Sequence, residues 1–166
     1  MYSVAVLEAA GGTVTSEIRD RLMAGRRGGL PMVFTRGDRL SAFSGKYDLF
    51  VVTDAGEEED ARNLRTRVLL APGSTAQKTV AGISSDWVVS YGLSGKDSIT
   101  LSSLEGGFAV LALQRELVTL GGKVVEQQEI PLAFSEGLDA QGLMAVYGSL
   151  LLLGEGPEGM CRHLEE

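Results

Sequence analysis

The first apolar segment of the chain is followed by three residues whose types and spacing could bind an anion. Gly11, Gly12 and Thr13 follow residues 3–7 (SVAVL), a β-branched run that predicts a buried strand. A glycine turn between a strand and a helix can present backbone N–H groups to a phosphate. Because the turn matches neither G-x-G-x-x-G nor the Walker pattern, and the first lysine is Lys46, it is either a variant anion site or a plain tight turn.

A carboxylate ends the clearest strand of the first half of the chain. Asp54 follows residues 47–53 (YDLFVVT), and positions 57–60 are all acidic. Carboxylates at strand ends often hold Mg²⁺ or a ribose, whereas a run of charges is often only a solvated surface. We therefore keep Asp54 as a candidate ligand-binding residue.

A second glycine-rich turn, residues 92–98 (GLSGKDS), has part of the pattern of a phosphate-binding loop. A Walker loop needs a glycine where Ser90 stands and a Mg²⁺-binding hydroxyl where Asp97 stands, and a helix must follow it. Here an apolar, β-rich segment follows, so we interpret the turn as that of a hairpin. Gly92 and Ser94 remain candidate ligand-binding residues because they lie at the end of a predicted strand.

Polar residues flank a further predicted hairpin. Gln114 and Arg115 precede Gly121-Gly122, and residues 126–129 (EQQE) follow it. Gly-Gly between apolar runs is a hairpin signal, so we expect these polar groups to meet across paired strands. They would form either a cross-strand ion pair or a recognition surface.

Composition argues against several other classes of function. The only cysteine, Cys161, and the only histidine, His163, lie near the end, so neither a disulfide, a zinc site nor a Ser-His-Asp triad is expected. We predict no catalytic residue, no metal and no cofactor. A net charge of −7 disfavours nucleic acid as a partner. No signal peptide or membrane-length apolar run is apparent, so we expect a cytoplasmic protein.

The elements that must position these residues predict an α/β fold. Continuously apolar strands alternating with helical segments indicate a Rossmann-like, mostly parallel sheet with helices on its faces, followed by antiparallel strands in a hairpin arrangement and a C-terminal helix. We predict one domain over residues 1–154. It comprises a parallel half (1–92), an antiparallel part (93–134) and a closing helix (135–154) that packs by one face, and a polar tail (155–166) follows.

One part of the sequence resembles a known family. Residues 87–105 (WVVSYGLSGKDSITLSSLE), then a hairpin region ending in EIPLAF and a helix, are similar to the late central domain of the Mur ligases, ATP-dependent ligases that build peptidoglycan precursors. In that family a strand ending in Tyr-Gly or Phe-Gly precedes further strands and a Leu-Pro-like segment. The strand end at residues 51–55 (VVTDA) resembles the acidic strand end of the family more loosely. The matching positions here are Tyr91, Gly92, Asp97, Ile130, Pro131 and Leu132.

The departures from the family concern catalysis. The resemblance implies a lysine-bearing ATP loop after the first strand, but GGTVTSE stands there. The catalytic histidine, modified lysine and flanking domains of the family have no counterpart. We therefore expect a truncated, non-catalytic Mur-ligase-like binding or interaction module, whose partner is an unknown small molecule or protein. A separate interpretation is a homodimer formed through the antiparallel half. The alternative is a nucleotide- or phosphate-binding enzyme or sensor using the carboxyl edge of the sheet; an open cleft there would favour it, and an edge filled by side chains would count against it.

Overall fold

The computed structural model describes residues 1–25, 29, 31–53, 63–75, 82–133 and 137–161. Apolar runs with period two or with continuous burial form the strands, and the two longer helices bury apolar residues. The elements in chain order are β1 (Tyr2–Leu7), α1 (Val14–Gly25), β2 (Met32–Gly37), a 3₁₀ turn (Leu40–Ala42), β3 (Gly45–Val52), β4 (Leu64–Pro72), β5 (Ser84–Tyr91), β6 (Ile99–Glu105), β7 (Phe108–Leu113), β8 (Leu117–Val118), β9 (Val124–Val125), β10 (Gln128–Ala133), α2 (Ala140–Leu152) and α3 (Pro157–Cys161).

The main sheet has eight strands in the order β10-β7-β6-β5-β4-β3-β1-β2. Strands β1 to β5 pair in parallel, whereas β7 is antiparallel to both β6 and β10. Strands β8 and β9 form a separate hairpin around the predicted Gly121-Gly122 turn. The predicted class, a mostly parallel α/β sheet followed by antiparallel strands and a C-terminal helix, is confirmed.

The connection between β5 and β6 differs from the predicted hairpin. The two strands are parallel, and they pair only where Tyr91 meets Ile99. The intervening loop closes on itself, because the N–H of Asp97 donates to the carbonyl of Ser94 at 3.0 Å and the N–H of Gly92 donates to the carbonyl of Ile99 at 3.0 Å. The loop thus returns the chain to the end of β5 before β6 begins, so β6 and its partner β7 continue past the carboxyl edge of the parallel strands.

Helix α2 contacts both the sheet and α1, and every residue from Gly142 to Leu152 is buried. The prediction that this helix packs by one face was wrong, because α1 and the hairpin of β8 and β9 join the same core cluster as the sheet. The helix approaches the sheet closely at Gly148, where a Cβ atom would lie 2.9 Å from Cδ1 of Ile99. Asp139 caps its N-terminus by accepting the N–H of Gly142 at 2.7 Å.

The segment predicted as a polar tail contains the short helix α3. Met160 in this helix is buried in the main core, and the helix contacts β10. The tail prediction missed it because one methionine among polar residues gives no periodic signal. His163 lies outside the described residues. Within the described residues, no helix has both the length and the apolar character needed to cross a membrane.

Candidate functional site

The carboxyl ends of the parallel strands form the edge at which α/β sheets usually bind ligands. Strand β2 lies on one side of β1 and strands β3 to β5 lie on the other, so the strand order reverses between β1 and β3. Crevices at such reversals are the usual ligand sites of this architecture. The side chains that occupy this edge therefore determine what it can bind.

A buried carboxylate occupies the edge at the end of β1. The side chain of Glu8 is only 2% exposed. Its Oε2 accepts the N–H of Val14 at 2.9 Å, and its Oε1 accepts both the N–H of Thr15 at 3.2 Å and the hydroxyl of Thr15 at 2.5 Å. Nε of Arg36 donates to the same Oε1 at 2.7 Å. Glu8 therefore binds the first amides of α1 and a guanidinium from the end of β2.

The surroundings of Glu8 favour its charged form. Burial alone would raise the pKa of the carboxyl group, but hydrogen bonds from the Thr15 hydroxyl, from Arg36 and from the amides of Thr15 and Val14 outweigh burial. The pKa is lowered from the ordinary value of 4.5. The positive end of the helix dipole favours the same charge. The N-terminus of α1 thus holds an anion, and that anion belongs to the chain itself.

The glycine turn closes around this carboxylate. Gly11 adopts a φ of +82°, which favours glycine, and the N–H of Gly12 donates to the carbonyl of Ala9 at 2.9 Å. A Cβ atom at Gly12 would lie only 2.6 Å from Oε2 of Glu8. The glycine at this position therefore makes room for the side chain of Glu8.

A second buried carboxylate lies at the other end of the parallel edge. Asp97 is 5% exposed, and its Oδ2 accepts the N–H of Ser94 at 3.1 Å. The same carboxylate lies against Gly73, after β4, and Gly92, after β5, and a Cβ atom at either glycine would overlap it. Asp97 thus fills the space between the ends of these two strands.

Hydrogen bonds also close the middle of the edge. Thr53, after β3, donates both its N–H and its hydroxyl to the carbonyl of Leu7, at 3.0 and 2.9 Å. The hydroxyl of Tyr91 donates to the carbonyl of Val52 at 2.6 Å and is buried. Among the described residues, this edge is occupied by the protein's own polar groups rather than open to a ligand.

The structure places the predicted site residues in two separate regions. Gly11, Gly12 and Thr13 form the turn before α1, and Gly92 and Ser94 begin the loop after β5. Three strand spacings, about 14 Å, separate β1 from β5, so these two groups do not form one site. Asp54 lies outside the described residues.

Sequence reasoning missed Glu8 because it examined the glycine turn without the residue that ends the strand before it. A carboxylate that ends an apolar strand and stands three residues before Gly11-Gly12-Thr13, the turn that precedes a helix, could have indicated an internal cap. Arg36, which directly follows the apolar run at residues 30–35 (LPMVFT), would have supported that interpretation, since parallel neighbours end at the same edge. The pairing of β1 with β2 places Arg36 opposite Val6.

Part of the polar set around the second predicted hairpin comes together: Gln114 and residues 127–129 line one groove, whereas Arg115 and Glu126 are not among its lining residues. A groove of about 590 Å³ lies beside β6, β7 and β10, and we call it the glutamine groove. Arg115 donates to the backbone carbonyl of Lys96 at 2.8 Å, and it lies next to the groove along the chain. The lining side chains include Leu93, Thr100, Ala112, Gln114, Gln127 and Glu129.

The described residues offer no cluster of three or more histidine, cysteine, aspartate or glutamate side chains that could hold a metal ion. Glu8 and Asp97, the two buried carboxylates, lie at opposite ends of the parallel edge, and each is surrounded by hydrogen-bond donors or glycine backbone. The arrangement can cap a helix and close a loop. In the described part of this edge, these side chains form neither a nucleophile with an adjacent base nor a general acid–base pair.

Comparison with known proteins identifies the fold. No protein-family model matches the sequence, and no curated protein matches it. Among solved structures, the chain is similar to UDP-N-acetylmuramoylalanyl-D-glutamyl-2,6-diaminopimelate–D-alanyl-D-alanyl ligase from Acinetobacter baumannii, with a TM-score of 0.61 and 14% sequence identity. The match covers 100% of this chain and 46% of that ligase, so this chain spans about half the length of the ligase. The resemblance expected from the sequence is thereby confirmed for the fold: the chain has a Mur-ligase-like α/β architecture.

Proposed function

We propose that this chain is a non-catalytic binding or interaction module built on a Mur-ligase-like fold. The observation that carries the proposal is the carboxylate of Glu8, which occupies the N-terminus of α1 where a fold of this kind would receive an anionic ligand. Two backbone amides, one hydroxyl and one guanidinium already bind it. The turn is therefore engaged before any ligand arrives.

Electrostatics reinforces this occupation. A phosphate that approached the same amides would meet a buried negative charge within a few ångströms, and the repulsion amounts to about 4 kcal/mol at 4 Å for an effective dielectric constant of 20. Arg36, the cation at this turn, is already paired with Glu8 at 2.7 Å. A bound phosphate would have to displace the carboxylate and leave it buried without its partners, which is strongly unfavourable.

The name of the similar structure is that of a ligase, but ligase activity does not transfer with the fold. The Mur-family resemblance implies ATP binding through a lysine-bearing loop after the first strand, and here the corresponding turn carries Gly11, Gly12 and Thr13 and no lysine. This substitution supports a module that keeps the architecture and uses another surface for its function.

A ligand screen tests the proposal. Thermal unfolding of the whole chain would be measured with ATP, ADP or UDP-sugars, each with Mg²⁺, and with the inorganic phosphate ion as a minimal probe. A ligand at a hundredfold excess over its Kd stabilises the fold by about 2.7 kcal/mol, which raises the Tm of a domain of this size by about 5–11 °C. We expect no shift with any nucleotide and no ATP hydrolysis.

Two results would contradict this expectation in distinguishable ways. A nucleotide-dependent rise in Tm that Asp54→Ala abolishes would establish the alternative, a nucleotide sensor at the carboxyl edge. A rise that survives in Asp54→Ala but disappears in Thr13→Ala would place the ligand at the glycine turn despite Glu8. Either result would refute the inference that the chain's own groups close this edge to nucleotides, and hydrolysis of the bound ATP would refute the non-catalytic module itself.

A further inference from the structure

The glutamine groove has a row of three side chains across its floor. Thr100 on β6, Ala112 on β7 and Glu129 on β10 are partners in the pairing of these strands, so they form one row across the sheet. Their chain neighbours Leu111 and Ile130 belong to the main core, so the row lies on the opposite face. The small side chain of Ala112 therefore leaves space between a hydroxyl and a carboxylate.

The loop after β5 forms a wall of the groove beside β6. Gly95 of this loop lines the groove. Arg115, just after β7, donates to the carbonyl of Lys96 at 2.8 Å, and the N–H of Gln114 donates to the carbonyl of Ser98 at 2.9 Å. These two bonds join the loop to the chain after β7. The wall and the floor are thus held together before anything binds, which lowers the entropic cost of binding.

Thr100 provides the observation that points to a ligand. The residue is only 7% exposed, and it lines the groove. Its hydroxyl forms no hydrogen bond within the described part of the chain, yet no fully buried side-chain oxygen there lacks a partner. The hydroxyl must therefore reach the open space of the groove. It has both its donor and its acceptor capacity free for a molecule bound there.

The charge of the groove selects the kind of molecule. Among the described residues that line it, Glu129 is the only one with a charge, and it forms no ion pair with a described cation. The side-chain amides of Gln114 and Gln127 also form no hydrogen bonds within the described residues. Amides both donate and accept, whereas a carboxylate only accepts. The lining therefore suits one cationic donor accompanied by neutral hydrogen-bonding groups, and it repels an anion.

We propose that the glutamine groove binds a small organic cation whose primary ammonium group lies between Glu129 and Thr100. Neutral amide or hydroxyl groups of the same molecule pair with the glutamine side chains. Leu93, which lines the groove and is 75% exposed, offers an apolar contact. The assignment names a ligand class for the binding module proposed above and rests on that proposal for its functional meaning.

The spacing of the strands suits an ammonium group in this position. Neighbouring strands lie about 4.8 Å apart, so the Cα atoms of Thr100 and Glu129, on either side of β7, are about 10 Å apart. An ammonium nitrogen above Ala112 that bonds to both oxygens takes up about 5.6 Å of this gap, and the two side chains span the rest. Its third N–H is then available to an amide oxygen such as that of Gln114.

Calorimetric titration of the whole chain with matched probes tests the ligand class. Leucinamide carries an ammonium group, an amide and an apolar side chain, and N-acetyl-leucinamide has the same groups without the charge. We expect saturable binding of leucinamide and a Kd about tenfold higher for the acetylated probe, because charge-assisted hydrogen bonds are the stronger ones. The tripeptide amide leucyl-glycyl-glycinamide carries the same ammonium group on a longer chain, and we expect it to bind more weakly than leucinamide.

Two substitutions in the row test where the ammonium group lies. Glu129→Gln keeps the shape and removes the charge, and Thr100→Val keeps the shape and removes the hydroxyl; each should raise the Kd of leucinamide about fivefold. Glu126→Gln is the matched control, because it changes the net charge equally outside the lining of the groove, and it should leave Kd unchanged. Since Glu129 is exposed, Glu129→Gln keeps the test intact if Thr100→Val does not fold.

Several results would overturn the proposal. One is a flat titration with leucinamide up to its solubility limit, and another is equal binding of the acetylated probe. A Kd that Glu129→Gln changes no more than Glu126→Gln would show that the ammonium group lies elsewhere. Tighter binding of the tripeptide amide would assign the groove to a peptide terminus and not to a small molecule.

This titration and the nucleotide screen fail independently. ATP hydrolysis by a chain that still binds leucinamide through Glu129 would refute the non-catalytic function and leave the ammonium site standing. A chain that binds neither nucleotide nor leucinamide would refute the ammonium site and leave the non-catalytic function standing.

Discussion

Replacing Glu8 with glutamine tests the internal carboxylate with the smallest change of shape. Glu8→Gln keeps one acceptor oxygen, which can still serve Thr15 and Arg36. In the wild type, Oε2 accepts the N–H of Val14 at 2.9 Å. The variant replaces Oε2 with an NH₂ group, which cannot accept that N–H. The variant therefore removes one hydrogen bond, places two donors together and neutralises the charge that binds the other donors.

The expected cost follows from the number and type of these contacts. Hydrogen bonds to a charged acceptor contribute about 1.5–3 kcal/mol each and neutral ones about 0.5–1.5 kcal/mol. Relief from burying a charge offsets part of the loss. Arg36 also recovers hydration, since 41% of its side chain is exposed. We expect Glu8→Gln to lower the free energy of unfolding by about 2 kcal/mol and the Tm by about 4–8 °C.

Urea unfolding at neutral pH, followed by circular dichroism, measures this difference. Glu126→Gln provides the matched control, because Glu126 is exposed in the turn after β9 and the same substitution there should change stability by less than about 0.5 kcal/mol. If Glu8→Gln is as stable as this control, the carboxylate does not hold the N-terminus of α1, and the reasoning from its four donors is refuted. A stabilised variant would indicate that burying the charge costs more than its partners return.

Two further outcomes follow from the same structure. The stability difference between the wild type and Glu8→Gln should be largest near neutral pH and shrink as the pH falls below 4.5, because a lowered pKa in the folded state stabilises the fold only while the carboxylate is charged. Urea titrations at several pH values measure this difference. A difference that stays constant with pH would contradict the linkage. Gly148→Val should lower the free energy of unfolding by about 3 kcal/mol, whereas Gly148→Ala should change it by less than about 1 kcal/mol, because the helix propensity of alanine offsets the close approach to Ile99. Equal effects of the two substitutions on the free energy of unfolding would argue against a tight contact between α2 and the sheet.

The fold was largely predictable because its strands carry strong local signals. Continuous apolar runs such as those ending at Leu7 and Val52 are buried in a parallel sheet, and such burial dictates their composition. The direction of β6 was not predictable from its own residues. It depends on how the loop from Gly92 to Ser98 closes around Asp97, a set of contacts between residues whose types equally suit a hairpin.

The burial of α2 shows a similar limit. Its apolar positions have helical spacing, which predicted one buried face, but small residues such as Gly142, Ala145 and Gly148 allow close packing on the others. Periodicity reports the most apolar face of a helix and not the number of neighbours around it. The neighbours here come from the hairpin of β8 and β9 and from α1, which are distant in the chain.

The candidate site was harder to predict, because its decisive residue acts through contacts distant in sequence. The sequence left the turn at Gly11 and Gly12 open as either a variant anion site or a plain tight turn, and the amides that bind the carboxylate belong to Val14 and Thr15 beyond it. That the anion is the side chain of Glu8 depends on Arg36, 28 positions away, which shares the burial cost of the charge. A motif describes the donors of a site and leaves open whether the acceptor is a ligand or another part of the chain.

A fold that has no ligand at its usual site still has to satisfy the groups that a ligand would have satisfied. The first amides of a helix and the amides of strand-end loops lose free energy if they are buried without acceptors. Glu8 and Asp97 supply those acceptors, and Thr53 and Tyr91 donate to carbonyls between them. Among the described residues these groups are internally paired, and the parallel edge is occupied by the chain's own side chains. The binding function proposed above would therefore use a surface away from this edge.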